Sequence, residues 1–281
     1  MLVDPEVPVR VLLATDGGPA AEVARAAVHA IEWPGGTRIR VLGVLDGTVP
    51  FLGAPPPHAV LAPEQTAVVD AARTEAQGTL EAVATTLLEP EIEVEWQLVQ
   101  GRAANRIVDA ARAWPADLIV LGNRGRRAAE YVIRGSIGMD VVQQAPCPVL
   151  LARSDRIERV VVALDPERPS DAAVEALASP LFRDRPLVLV GAVASEHDSQ
   201  AATAALEVIA ETMRRPNRPI EVVVAEGKPA TVVRGVIDDR SDDLLVTAAQ
   251  AADSLFELLT GSVSRSLIID TSCSILAVPQ P

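Results

Sequence analysis

The chain has 281 residues, a formal net charge of −13 at pH 7 and a pI near 4.7, a balance that argues against non-specific binding to nucleic acid and against docking on anionic membranes. Apolar residues make up 49% but aromatics only 2%, so a core must be built from Val, Leu, Ile and Ala, as in α/β proteins with buried parallel strands. No stretch approaches the roughly 18 apolar residues of a membrane span, MLVDPEVPVR is not a signal peptide, and Cys147 and Cys273 form no metal-type pair, which together predict a soluble, cytoplasmic protein of two ordinary-sized domains without a metal site.

In chain order, continuous Val/Leu/Ile runs predict strands near 9–15, 38–45, 91–99, 117–121 and 148–152, as expected of strands covered on both faces. Ala-rich helical stretches lie between them, at 20–32 (AAEVARAAVHAIE) and 66–88 (TAVVDAARTEAQGTLEAVATTLL), punctuated by Pro34-Gly35-Gly36, Glu89-Pro90 and Trp114-Pro115. Asp16, ahead of Gly17-Gly18-Pro19, reads as the cap of the first helix. The Pro- and Gly-rich segment 46–62 reads equally as a lid over a ligand or as a disordered surface loop. Strict alternation of strand and helix implies a parallel sheet with helices on both faces. Ligands of such sheets sit beyond the carboxyl ends of the strands, where strand order reverses. Asp16, Val44 and Gly122 all lie at such ends.

From Gly122 the sequence runs Gly122-x2-Gly125-x9-Gly135-Ser136. Glycines let backbone N–H groups approach an anion closely, and a Gly-Ser step opening a helix adds free N–H groups, a hydroxyl and the positive end of a helix dipole. The pattern predicts a phosphate cradle. Arg124, Arg126, Arg127 and Arg134 crowd the same segment of an otherwise acidic chain, and guanidinium groups pair well with phosphate oxygens. Arg124 and Arg126, flanking Gly125, are the expected contacts.

The unit is written twice. Arg10–Val28 resembles Arg159–Leu177, aligning Asp16 with Asp165, and RIRVLGVLD resembles PLVLVGAVA, aligning Gly43 with Gly191. Later pairs sit 126 residues apart (101 and 227, 135 and 261, 147 and 273), against 149 for residues 16 and 165, so the second copy is about 23 residues shorter after its second strand. A repeat this long is a duplicated domain, with the boundary in the polar ARSDR stretch, giving domains 1–153 and 154–281.

These residues resemble the universal stress protein family over the whole chain, in two tandem copies. The resemblance rests on the ATDG turn, the Gly101-Arg102-Ala103 helix opening, ADLIVLGNRG, the glycine signature and APCPVLL. It implies two Rossmann-like domains, each a five-stranded parallel sheet of order 3-2-1-4-5, which associate through their fifth strands as an intrachain pseudo-dimer; a homodimer of chains is a further assembly open to such a fold. It also implies ATP, with or without Mg²⁺, held by the signature. Asp16 would lie near the nucleoside and Val44 at the adenine, with Gly122, Gly125, Gly135 and Ser136 at the phosphates.

The second copy reads Ala248-x2-Ala251-x9-Gly261-Ser262, and QAADSLFELL replaces the arginine cluster. Two methyl groups and two acids stand where a triphosphate would lie, so one ATP per chain is expected, in domain 1. His29, His58 and His197 are scattered and form no site, and no G-x-S-x-G, H-E-x-x-H or G-x4-G-K-[ST] motif occurs. Without a positioned base or a lysine in the cradle, efficient hydrolysis is not indicated and no catalytic residue is assigned. The leading reading is a nucleotide-binding stress sensor acting through an unidentified protein partner. A slow ATP hydrolase or phosphotransferase, or a scaffold binding no nucleotide, are the alternatives. Cys147 and Cys273 occupy equivalent places on the fifth strands, where a redox pair requires that a pseudo-twofold axis bring the sulfurs together.

Overall fold

The structure, a computed structural model, describes residues 7–45, 63–123, 137–169, 182, 185–216, 218–237, 240–249, 266–268 and 270–279. The first half contains β1 (Arg10–Ala14), α1 (Pro19–His29), β2 (Arg38–Leu45), α2 (Pro63–Thr86), β3 (Glu93–Gln100), α3 (Ala103–Ala113), β4 (Leu118–Gly122), α4 (Ile137–Gln144) and β5 (Val149–Ala152). In the second half β6 (Arg159–Leu164) and β7 (Leu187–Val193) precede α5 (Ser199–Thr212), β8 (Ile220–Glu226), α6 (Pro229–Ile237), β9 (Asp243–Ala249) and β10 (Ser274–Pro279).

The ten strands among the described residues form one sheet of order β3-β2-β1-β4-β5-β10-β9-β6-β7-β8. Each half is parallel and of order 3-2-1-4-5, the two joining where β5 meets β10 antiparallel, with Leu151 opposite Ile275 and Val149 opposite Ala277. The inner strands are apolar throughout because both faces are covered: β4 buries Leu118–Leu121 and β5 all four of its residues. Ala24 of α1, Leu80 of α2 and Leu206 of α5 pack on one face. Ile107 of α3, Val141 of α4 and Val233 of α6 pack on the other. β3 is mixed in sequence, EVEWQLVQ, and mostly exposed, because it is an outer edge.

The duplication reappears in detail. Gly101 and Gly227, each at the turn after an outer strand, share φ near +140° (140° and 143°), which L side chains rarely adopt. Their N–H groups donate to the equivalent carbonyls of Leu45 and Val193 at 2.9 and 3.0 Å. Arg10 and Arg159 each meet the acid that opens the fourth strand of their half, Asp117 (3.6 Å) and Asp243 (2.5 Å).

The seam separates the cysteines. Its register puts Cys273 opposite Arg153 and Cys147 at the other end, about 20 Å away for six residues of strand. The redox pairing is therefore excluded by the antiparallel register, which carries equivalent residues to opposite ends. Both thiols are free and buried. Arg153 bridges the seam instead: its guanidinium donates to Thr271 O (2.8 Å), Thr271 Oγ1 (3.0 Å), Cys273 O (3.2 Å) and Ile268 O. These carbonyls close the helical turn before β10, a common use of arginine at a helix C-terminus.

Candidate functional site

At the carboxyl ends of β1, β2 and β4 lies a cavity of about 180 Å³. Its floor is made by Ala14, Leu42, Val44, Leu121 and Gly122, its rim by Thr15, Asp16 and Gly18. Three helices open onto it: α1 through Ala20 and Ala21, α3 through Ala103 and Ile107, α4 through Ile137 and Gly138. Each brings the positive end of a helix dipole. A space of this size suits one flat heterocycle. The rest of a larger ligand would lie outside, across the helix openings.

The strand ends explain why the pocket exists. Thr15 N–H donates to Leu42 O at 2.9 Å, and β1 then turns away. Peptide groups of alternate residues along β2 face the same side, so the N–H and C=O of Val44 face β1's side beyond its end. No partner among the described residues takes either group. Leu45 faces the other way and accepts from Gly101. Val44 thus presents one donor and one acceptor, side by side, to the cavity.

Asp16 does not cap α1. Its Oδ1 accepts the Gly18 N–H at 2.8 Å, while Thr15 Oγ1 accepts the Gly17 N–H at 3.1 Å. The helix starts at Pro19, with Gly18 as its side-chain-free cap. The short loop closes on itself and keeps the Asp16 carboxylate, exposed, at the cavity rim.

Gly122 has a reason that the glycine pattern did not reveal. A Cβ there would lie 2.0 Å from Ala20 O and 2.6 Å from Ala21 N, so α1 packs its first turn directly on the β4 backbone. Asp16, Val44 and Gly122 are brought together around one cavity. Arg124, Gly125, Arg126, Gly135 and Ser136 lie outside the described residues, as do the 46–62 segment, Arg127, Arg134, Ala251, Gly261 and Ser262. Thr15, Leu42, Ala103 and Ile107 also line the cavity; in the sequence Thr15 and Ala103 stand out only as parts of the ATDG turn and the Gly101-Arg102-Ala103 step, and Leu42 and Ile107 not at all. Among the described residues no group of three or more His, Cys, Asp and Glu is placed to hold a metal ion.

The sequence profile described as the universal stress protein family matches residues 9–153 and again 156–279. The chain belongs to the universal stress protein family. A universal stress protein of Thermus aquaticus is 36% identical over 143 residues, covering 51% of this chain and 97% of its own. One from Methanocaldococcus jannaschii is 28% identical over 150 residues, covering 53% and 84%. The crystal structure of a universal stress protein from Archaeoglobus fulgidus superposes with a TM-score of 0.73 at 19% identity, covering 97% of this chain and 98% of that one.

The two halves of this universal stress protein differ at the corresponding strand ends. Leu164 replaces Thr15 and is buried. Pro166 and Glu167 replace Gly17 and Gly18. Asp165 keeps the same turn, Oδ1 accepting the Glu167 N–H at 2.9 Å, but an exposed carboxylate now follows it where the first half has only backbone. Pro166 Cγ lies 2.8 Å from where a Cβ on Gly191 would stand. A ring and an acid thus crowd the second rim.

Proposed function

We propose that this universal stress protein binds one adenine nucleotide per chain, in the cavity of its first domain (residues 1–153). The second domain (154–281) completes the pseudo-dimer without holding a nucleotide. The observation that carries this is the open peptide edge of Val44. Its N–H faces an acceptor and its C=O a donor, the order that adenine offers at N1 and N6, and the floor around it is apolar. Guanine offers the reverse order on that edge. Asp16 is set to accept ribose hydroxyls, and phosphates would extend over the α1 and α4 openings toward Gly125, Gly135, Ser136 and the arginines. A divalent ion would travel with the phosphates. On this reading the chain is a binding protein whose output is a stress-linked interaction with another protein.

Titration calorimetry tests this with ATP·Mg²⁺, expecting a stoichiometry near one and GTP·Mg²⁺ at least tenfold weaker. Val44→Pro removes the N–H, which serves no strand pairing, and is expected to weaken ATP at least tenfold, about 1.4 kcal/mol. Two ATP per chain, or equal affinity for GTP, would overturn the proposal.

A further inference from the structure

The helix beside the cavity is longer than its counterpart in the second half: α2 has 24 residues and α5 has 14. The extra length lies at the α2 N-terminus, on the half that has the cavity. From Ala67 to Gly78 only Val69, Ala72 and Ala76 are half-buried and every other side chain is exposed; the first fully buried one is Leu80. Val68 is 57% exposed. Ala67 to Gly78 therefore forms a helical arm about 18 Å long, held by one half-buried stripe rather than by a fully buried face, the main source of helix stability in proteins.

The arm is joined to the packed part through Gly78. Nothing lies within 4 Å of the position a Cβ would take there, so packing does not explain a glycine that costs helix stability relative to alanine. The next residue, Thr79, marks the level of the cavity rim: its Cγ2 lies 2.8 Å from where a Cβ on Gly17 would be. Gly17 (φ 72°) sits between the rim residues Asp16 and Gly18. Helix and rim turn therefore meet at the hinge.

We propose that residues 67–78 of α2 are a ligand-responsive arm, pivoting at Gly78 and stabilised against the Asp16–Gly18 turn when the cavity is filled. The inference rests on the nucleotide reading above. It assigns to domain 1 a conformational readout that domain 2, with its shorter helix and crowded rim, does not have. A sensor needs such an element: one with two states of similar stability, biased by the ligand.

Amide hydrogen exchange on the full chain tests it, with and without ATP·Mg²⁺ at a concentration that calorimetry shows to be saturating. Without ligand, residues 67–77 are expected to exchange far faster than 80–86. ATP is expected to slow 67–77 at least threefold and to leave α5 unchanged. Gly78→Ala places a methyl group in open space and is expected to slow 67–77 about fivefold without ligand, the usual size of a Gly-to-Ala gain in helix propensity. Saturating ATP with unchanged exchange at 67–77 would overturn the arm and leave the nucleotide reading standing. No calorimetric binding would overturn both. Unaltered exchange in Gly78→Ala would overturn the hinge whether or not ATP binds.

Discussion

Gly122 carries two demands at once. It lines the cavity and also lets α1 rest on β4, and the second demand exists without any ligand. Gly122→Ala sets a methyl against main-chain atoms that no rotamer change can move, so a loss of about 1–3 kcal/mol in urea unfolding is expected. A larger residue there would confuse lost binding with lost packing, whereas Val44→Pro separates them. The sequence made Gly122 visible through its spacing but offered a phosphate or a turn as the reason, since helix-on-strand contact involves residues a hundred positions apart. The same distance hid Leu42 and Ile107, which look like ordinary core positions until three strand ends meet. The thiols titrate by burial: desolvation pushes Cys147 up to about 12 and Cys273 to about 11 from an ordinary 9.0. Their neutral forms favour the fold fully below pH 9, and that contribution fades as pH rises through 11 to 12. The urea midpoint is expected to fall between pH 8.5 and 10.5, and to fall less when both cysteines are replaced by alanine.

At the scale of elements, one motif occurs in two environments. Arg10 and Asp117 expose 42% and 31% of their side chains, whereas Arg159 and Asp243 expose 20% and 0%. Arg159 also donates to Val236 O at 2.9 Å. Asp243→Ala would leave the part-buried Arg159 guanidinium with only the Val236 carbonyl and is expected to cost about 2 kcal/mol. Asp117→Ala is expected to cost 1 kcal/mol or less, in line with exposed pairs. Thermal unfolding of the two variants makes the comparison. Strand positions were legible because burial on both faces produces unbroken apolar runs, and the observed β1, β2, β4 and β5 fall within a residue or two of the predicted spans. Ends set by capping were less legible. Asp16 resembles a cap in sequence, yet its carboxylate closes the Asp16–Gly18 loop, because Pro19 at the first helical position fixes where α1 begins.

For the whole molecule, the composition and the repeat pointed to two parallel sheets, while strand order and joining through the fifth strands came from the family resemblance. Neither indicated what antiparallel joining does to equivalent residues, which is why the cysteines lie far apart. β5 buries every side chain only because β10 covers its edge. Expressed alone, residues 1–153 would expose that edge and are expected to self-associate through it, doubling the mass seen by light scattering. The seam also has a genetic consequence. When two identical chains pair this way, every substitution appears on both sides of the axis and must be tolerated in both settings. Joined in one chain across the short stretch from Ala152 to Arg159, the halves are freed from that symmetry, and each change occurs once. Arg153, which clasps the second half and has only Pro279 at the corresponding place, is a residue that symmetry would have required to serve twice.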